Sequence, residues 1–304
     1  MSHNETKEFL DKQLGIYEVS LGKRKLCIPT KSDRCVYKVA FLRRDQQQIV
    51  AIVLHNIYCW LYASNYEPLR MTISGVAGSG KSTLIQTLVS LVRILFQHND
   101  VVHVCAPTGS AAFSAGGETT HHLFAIQIPY MNNIPTPTQR KKLMLRFSNI
   151  VVLIVDERSM VGSELLSIME SYARLTVHNA VNTNKPWGYI PVIILVGDDY
   201  QLPPIFQGAF ESILPLQERV NQVVSKPGMK SQKRIAKGHL CFRELARMVM
   251  YLHSSQRVLS SQNWLARILE GLRAENSNTL NEDDIDFLTS NFHLMNPHFS
   301  HKDC

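Results

Sequence analysis

The sequence predicts an α/β fold in which a parallel sheet is covered by helices on both faces. Two observations carry this prediction. Between about residue 70 and residue 200, short apolar runs of strand length alternate with helix-length amphipathic segments, the pattern of buried parallel sheets. Each apolar run also ends in a cluster of glycine, hydroxyl or acidic residues. Ligands of open parallel sheets bind outside the carboxyl ends of the strands, so these clusters are candidates for one shared site.

The elements follow in chain order. Residues 1–40 show no sustained period and read as an extension, and Gln46 to Leu61 is apolar-rich and reads as a helix. Arg70 to Ser74 is the first strand. It runs into Gly75-Val-Ala77-Gly78-Ser79-Gly80-Lys81-Ser82 and then a helix to about Phe96, whose Leu84, Leu88, Leu91 and Leu95 recur at helical spacing. Val101 to Cys105 is the second strand and enters Ala106-Pro107-Thr108-Gly-Ser-Ala-Ala112. Ile150 to Val155 is the third, followed by Asp156, Glu157 and a helix near Ser163 to Leu175. Pro191 to Val196 is the fourth and ends in Gly197-Asp198.

The chain of 304 residues is 45% hydrophobic and 19% charged, the balance of a globular protein with one large or two modest cores. No apolar run approaches the ~18–20 residues that span a bilayer, so no membrane partner is expected. Met1 to Lys12 mixes Glu, Asp and Lys, unlike a secretory h-region or an acid-poor transit peptide. The six cysteines (Cys27, Cys35, Cys59, Cys105, Cys241, Cys304) never form a C-x-x-C pair and read as reduced thiols. An intracellular protein is expected, with the nucleus favoured over the mitochondrion if the source is eukaryotic.

The formal charge of +7 permits a polyanionic partner. Lys226, Lys230, Lys233, Arg234, Lys237, Arg243 and Arg247 face a single acid, Glu244, within 22 residues. The segment reads either as a solvated loop or as a set of phosphate contacts.

The chemistry lies in the strand-end clusters. Gly75 to Ser82 fits G-x-x-x-x-G-K-[ST] with the strand before and helix after that the pattern requires. Its backbone N–H groups and the helix N-terminus suit phosphates. Lys81 suits the β- and γ-phosphates of ATP, and the Ser82 hydroxyl suits Mg²⁺. Asp156 suits the magnesium shell and Glu157 the base that deprotonates an attacking water. A helix N-cap is the other reading of this acid pair. In Gly197-Asp198-Asp199-Tyr200-Gln201-Leu202-Pro203-Pro204, Gln201 can hydrogen-bond the γ-phosphate or water, or the segment is simply a proline-rich turn. His121 and His122 invite a metal reading, but no further ligand falls at the right spacing.

From about Leu42 to Phe287 these motifs, in this order, resemble the petite-integration-frequency (PIF) family of superfamily 1 DNA helicases. Leu42-Arg-Arg-Asp-Gln46 is similar to its adenine-reading Q motif, and Gly75 to Thr83 to its phosphate loop, with Ser79 where Thr is more usual. Ala106 to Ala112 with Gly116 to Phe124 resembles a DNA-contacting segment. Asp156-Glu-Arg-Ser-Met160 carries Arg158 where the family has an apolar residue. Pro186-Trp-Gly188 and Gly197 to Pro204 match further elements, and Leu252 to Arg257 resembles the segment bearing an arginine finger.

The resemblance implies a RecA-like ATPase lobe and a 5′-to-3′ motor on single-stranded DNA, using ATP and Mg²⁺, with roles in DNA repair, recombination and telomere maintenance. It places Gln46, Gly75, Ala77, Gly78, Ser79, Gly80, Lys81, Ser82 and Thr83 around the nucleotide, and Lys81, Asp156, Glu157, Gln201 and Arg257 in catalysis. Ser82 and Asp156 would hold magnesium. Pro107, Thr108, His121 and Phe124 would lie along DNA, with Phe124 as ordinary core the other reading. The expected organisation is an extension (1–40), the ATPase lobe (41–240) and the helical start of a second lobe (241–304). The family's later motifs have no counterpart here, so an impaired motor is expected: a fragment, a truncated gene copy, or a chain that works with a polypeptide supplying the second lobe, with a nucleotide-dependent DNA-binding or interfering module without efficient turnover as the other reading.

Overall fold

The structure, a computed structural model, describes residues 42–63, 65–128, 130, 135–176, 185–198, 201, 204 and 229–252. The chain divides into units 1–253 and 254–304, and the second lies outside the described residues.

Helix α1 (Arg44–Tyr62) precedes strand β1 (Leu69–Gly75), helix α2 (Lys81–Phe96) and strand β2 (Val102–Ala106). Short elements follow: α3 (Gly109–Ala115), β3 (Glu118–Thr119) and α4 (Thr120–Leu123). Then come α5 (Pro137–Arg146), β4 (Val152–Val155), α6 (Ser163–Thr176) and β5 (Val192–Gly197). Helix α7 (Met229–Leu245) and strand β6 (Met248–Leu252) close the described part. The six strands form one parallel sheet in the order β3-β2-β4-β5-β1-β6.

The central strands β4 and β5 are buried on both faces because their side chains alternate between two apolar clusters. Val152, Ile154, Val192, Ile194 and Val196 join α1 and α2 on one face. Leu153, Val155, Ile193 and Leu195 join α6 and the end of α7 on the other. Helix α2 turns Leu84, Ile85, Leu88, Leu91, Val92 and Leu95 inward, as the leucine spacing predicts. The strands and helices expected between Gln46 and Val196 form within two residues of their expected limits.

Two expectations change. Helix α7 runs through the boundary expected after residue 240, and β6 pairs with β1 (Met71↔Met248 to Gly75↔Leu252). Residues 248–252 therefore belong to the sheet of the ATPase lobe, and 241–245 to a helix packed on it. The basic segment is also no loop: from Met229 onward it is α7, packed on α6. Arg234 is buried and ion-paired to Glu164 at 2.6 Å, while Lys237 meets the buried Glu170 at 2.6 Å. Burial pushes the Glu170 carboxyl up, but hydrogen bonds from Lys237 and Arg174 outweigh it and hold the group below its ordinary range. Arg234 is thus structural and offers nothing to a DNA phosphate. Its partner is spent inside the fold.

The helices approach closely. A Cβ on Gly238 would lie 1.9 Å from the Ser163 carbonyl oxygen, so only glycine lets α7 cross the start of α6.

Candidate functional site

The turn after β1 wraps on itself: the Ser79 amide donates to the Val76 carbonyl at 3.0 Å, and Leu84 N–H returns to the Gly80 carbonyl at 3.1 Å. Gly78 and Gly80 adopt φ of 79° and 83°, the left-handed region that a Cβ disfavours. Gly80 is the N-cap of α2, so the N–H groups of the first turn face the loop end of the helix. The Lys81 ammonium donates to the Gly75 and Val76 carbonyls at 2.6 and 3.2 Å. Ser82 and Thr83 are exposed at the helix start, Ala77 is exposed, and Ser79 is buried. A loop of this shape can receive a phosphate chain.

The acids sit two strands away across the sheet. Gly75, Val155 and Gly197 end β1, β4 and β5, which are neighbours in the order β4-β5-β1. Asp156 is buried, its amide bonded to Cys105 and its Oδ1 accepting the Glu157 N–H at 2.9 Å. Burial pushes the Asp156 pKa up, against the Glu157 amide and the Lys81 charge. Burial also raises Glu157, helped by Asp156 and Asp198 and opposed by Lys81. Glu157 has φ 51° and ψ 49°, a left-handed backbone that costs a non-glycine residue of order 1–3 kcal/mol. Lys81, Asp156, Glu157 and Asp198 therefore share one electrostatic field.

Arg158, where an apolar residue was expected, is buried in the single 3₁₀ turn that follows. Its stem lies over Gly197, where a Cβ would stand 2.7 Å from Arg158 Cγ. The aliphatic part fills the space expected of an isoleucine.

Gln46 reaches the phosphate loop. Its Nε2 donates to the Gly80 carbonyl at 3.1 Å and approaches Ser79 O at 3.5 Å. Its Oε1 accepts the Arg43 N–H at 3.0 Å. Gln201 is half-buried just past β5, its amide bonded to the Asp198 carbonyl at 3.2 Å. Arg257 lies outside the described residues.

The four residues expected along DNA divide. Pro107 and Thr108 follow β2, and Thr108 Oγ1 caps α3 by accepting the Ala111 N–H at 3.3 Å. His121 is half-buried, stacked on Tyr130 with its Nε2 2.9 Å from the phenolic oxygen, and burial lowers its pKa. His122 pairs with Glu118 at 2.6 Å. Phe124 does not fit its expected role: it is fully buried and packs on Phe147 with ring centroids 5.2 Å apart. A ring with no exposed face cannot stack on a base, so Phe124 is core.

For magnesium, the described donors suit a hard cation. Asp156 and the exposed Ser82 hydroxyl offer oxygen only, and Mg²⁺ is commonly held by one or two carboxylates plus substrate phosphates. No group of three His, Cys, Asp or Glu among the described residues could hold a metal alone. Cys59, Cys105 and Cys241 are free thiols, and burial pushes Cys105 and Cys241 up to about 12. No described helix is long and apolar enough to cross a membrane.

Topology and site together define a P-loop nucleotide-binding domain of the RecA-like class. The chain belongs to the PIF1-like helicase family, whose model matches residues 41–272. It is 29% identical over 200 residues to the ATP-dependent DNA helicase PIF1 of Candida albicans, covering 62% of this chain and 21% of that protein. It is 35% identical over 135 residues to the helicase RRM3 of Saccharomyces cerevisiae, covering 43% of this chain and 18% of the relative. The crystal structure of the Candida albicans Pif1 helicase superposes with a TM-score of 0.57 at 25% identity, over 80% of this chain and 46% of that one. A Bacteroides Pif1 bound to ssDNA gives 0.53 at 24% identity, over 82% and 49%, a likeness of fold. The chain thus spans about a fifth of these curated relatives and about half of the solved chains.

Proposed function

We propose that this chain is the nucleotide-binding lobe of an ATP-dependent DNA helicase that hydrolyses ATP with Mg²⁺ and moves 5′-to-3′ on single-stranded DNA. The observation that carries the reading is the convergence of the phosphate loop, the Asp156–Glu157 pair and Asp198 at the carboxyl ends of neighbouring strands. Lys81 and the first-turn N–H groups receive the β- and γ-phosphates. Asp156 and Ser82 hold magnesium, which when bound neutralises charge developing on the phosphates. Glu157 takes the proton of the water whose oxygen attacks the γ-phosphorus as the bond to the β-phosphate oxygen breaks. Its raised proton affinity strengthens it as a base. Gln201 orients the γ-phosphate or the water, and Arg257 supplies the finger.

The DNA part rests on the relatives' names and on solved Pif1 chains described with ssDNA and with ADP-AlF3. Pro107, Thr108 and His121 form the strand-facing set, and the protein acts inside the cell. An arginine finger is worth ~10³–10⁵ in rate, so fast turnover requires a closed cleft that holds Arg257 against the nucleotide. A second lobe, in cis or as a separate polypeptide, restores DNA stimulation.

The test is ATP turnover with and without single-stranded DNA, for the 304-residue chain and for a fusion carrying a relative's second lobe. DNA-stimulated turnover in the fusion, reduced by Arg257→Ala, is expected. Nucleotide binding without turnover in either protein would instead make the chain a nucleotide-dependent DNA-binding module.

A further inference from the structure

The N-terminus of α1 carries an arginine where helices favour a side chain that accepts. Arg43 is the N-cap residue, a position preferred by Ser, Thr, Asp and Asn because their oxygen takes an orphan N–H. A guanidinium has no acceptor. The cap is completed from the other direction, by Gln46 Oε1 on the Arg43 N–H. What Arg43 does instead is reach across 36 positions: its Nη2 donates to the Ser79 carbonyl at 2.7 Å. Asp45 aims it, accepting from Nε and Nη2 at 3.3 Å each. Beside it Gln46 Nε2 holds the Gly80 carbonyl at 3.1 Å.

The consequence follows from peptide geometry. In a planar trans peptide the C=O and the following N–H point in opposite directions. Drawing the Ser79 and Gly80 carbonyls toward α1 therefore turns the Gly80 and Lys81 N–H groups away from it, into the open side of the loop. We infer that Arg43 is a positioning residue of the phosphate site, a clasp that sets the direction of the loop's N–H groups through the Ser79 carbonyl, with Gln46 as its partner on Gly80. The inference rests on the nucleotide site proposed above. It assigns Arg43 a role that the adenine-reading expectation for the Leu42-to-Gln46 segment did not contain.

The experiment separates helix capping from loop positioning, because a better cap is a worse clasp. Arg43→Ser improves the N-cap and removes the contact with Ser79, whereas Arg43→Lys keeps a donor of shorter reach. Three quantities are read on the 304-residue chain: thermal melting, ATP affinity with magnesium, and nucleotide-free hydrogen exchange. The exchange probes are the Ser79 and Leu84 amides, both bonded within the loop. The expected result for Arg43→Ser is an unchanged or higher melting temperature, about tenfold faster exchange at both amides and about tenfold weaker ATP binding, the scale of one charge-assisted hydrogen bond. Arg43→Lys falls between. Exchange and affinity equal to wild type in Arg43→Ser would overturn the inference. If the wild-type chain binds no ATP, or Lys81→Ala binds it equally well, the site reading fails. Faster exchange in Arg43→Ser would still uphold the clasp.

Discussion

The Lys81 ammonium lies 2.6 Å from the Gly75 carbonyl oxygen, so the loop's own backbone holds the charge that a phosphate would take. The same charge opposes the upward shift of both Asp156 and Glu157. Lys81→Ala is expected to abolish tight ATP binding while leaving the melting transition in place, since Lys81 sits at the loop and packs no core. Calorimetric titration with ATP beside a thermal melt checks this. Undiminished affinity would dismiss the phosphate-loop role.

Glu157→Gln should retain nucleotide and lose hydrolysis. It should also stabilise the fold at neutral pH, with a definite sign. The folded-state pKa of Glu157 is raised, so ionising it costs the folded protein more than the unfolded one. That cost is fully present above the folded pKa and vanishes as pH falls below the ordinary value of 4.5. The melting advantage of the variant should accordingly shrink on acidification. A variant no more stable than wild type at pH 8, or an advantage that grows toward acid, would contradict the electrostatic account.

Arg234 and Lys233 are neighbours in sequence with opposite fates, since Arg234 is buried against Glu164 and Lys233 is exposed. Arg234→Ala should cost about 3–5 kcal/mol, as for other buried ion pairs deprived of one partner. Replacing Glu164 by Leu and Arg234 by Met together should recover most of it, measured by urea unfolding. Lys233→Ala should leave stability within about 0.5 kcal/mol. If Lys233 touches a phosphate, its loss lowers the salt slope of single-strand binding by about 0.7.

His121 and Phe124 should likewise separate. Phe124→Ala opens a cavity in the second core cluster and should destabilise by about 3–5 kcal/mol. His121→Ala loses one stacked ring and one hydrogen bond and should cost about 1 kcal/mol. If the imidazole serves single-stranded DNA, His121→Ala should weaken binding by the ~1–3 kcal/mol of one stacking platform. Fluorescence anisotropy at fixed salt reads the difference.

Gly238→Ala reverses the usual helix rule. In an exposed helix interior alanine is favoured over glycine by about 1 kcal/mol, but here the new methyl would meet the Ser163 carbonyl at 1.9 Å. The variant should melt lower than wild type. A higher melting temperature would show that α6 and α7 part at little cost.

The phosphate loop, the leucine face of α2 and the apolar strands were legible because each is a local property. A turn of eight consecutive residues closes on its own hydrogen bonds, and strands buried on both faces must be continuously apolar. The order β3-β2-β4-β5-β1-β6 was not readable, because strands adjacent in the sheet are distant in the chain. Helix α7 hid for a related reason. Its buried stripe is Arg234, Gly238, Cys241 and Leu245, so an ion pair and a close backbone crossing stand where an apolar period would have announced a helix. Strand β6 gave no apolar alternation either, since Met248, Val249 and Tyr251 are exposed at the sheet edge.

The site shows the same division. The chemistry of Lys81, Asp156 and Glu157 was stated by residue type and place in the chain. Whether Phe124 faced DNA or core could not be, since a single aromatic beside histidines fits both until Phe147 is packed against it. The role of Arg43 depended on a carbonyl 36 positions away. Sequence alone determined which groups could act on a phosphate, because covalent order puts donors and acids at strand ends. Only the tertiary structure decided which charges are spent inside the fold and which remain for a ligand, because burial and pairing are settled between segments that meet only when the sheet closes.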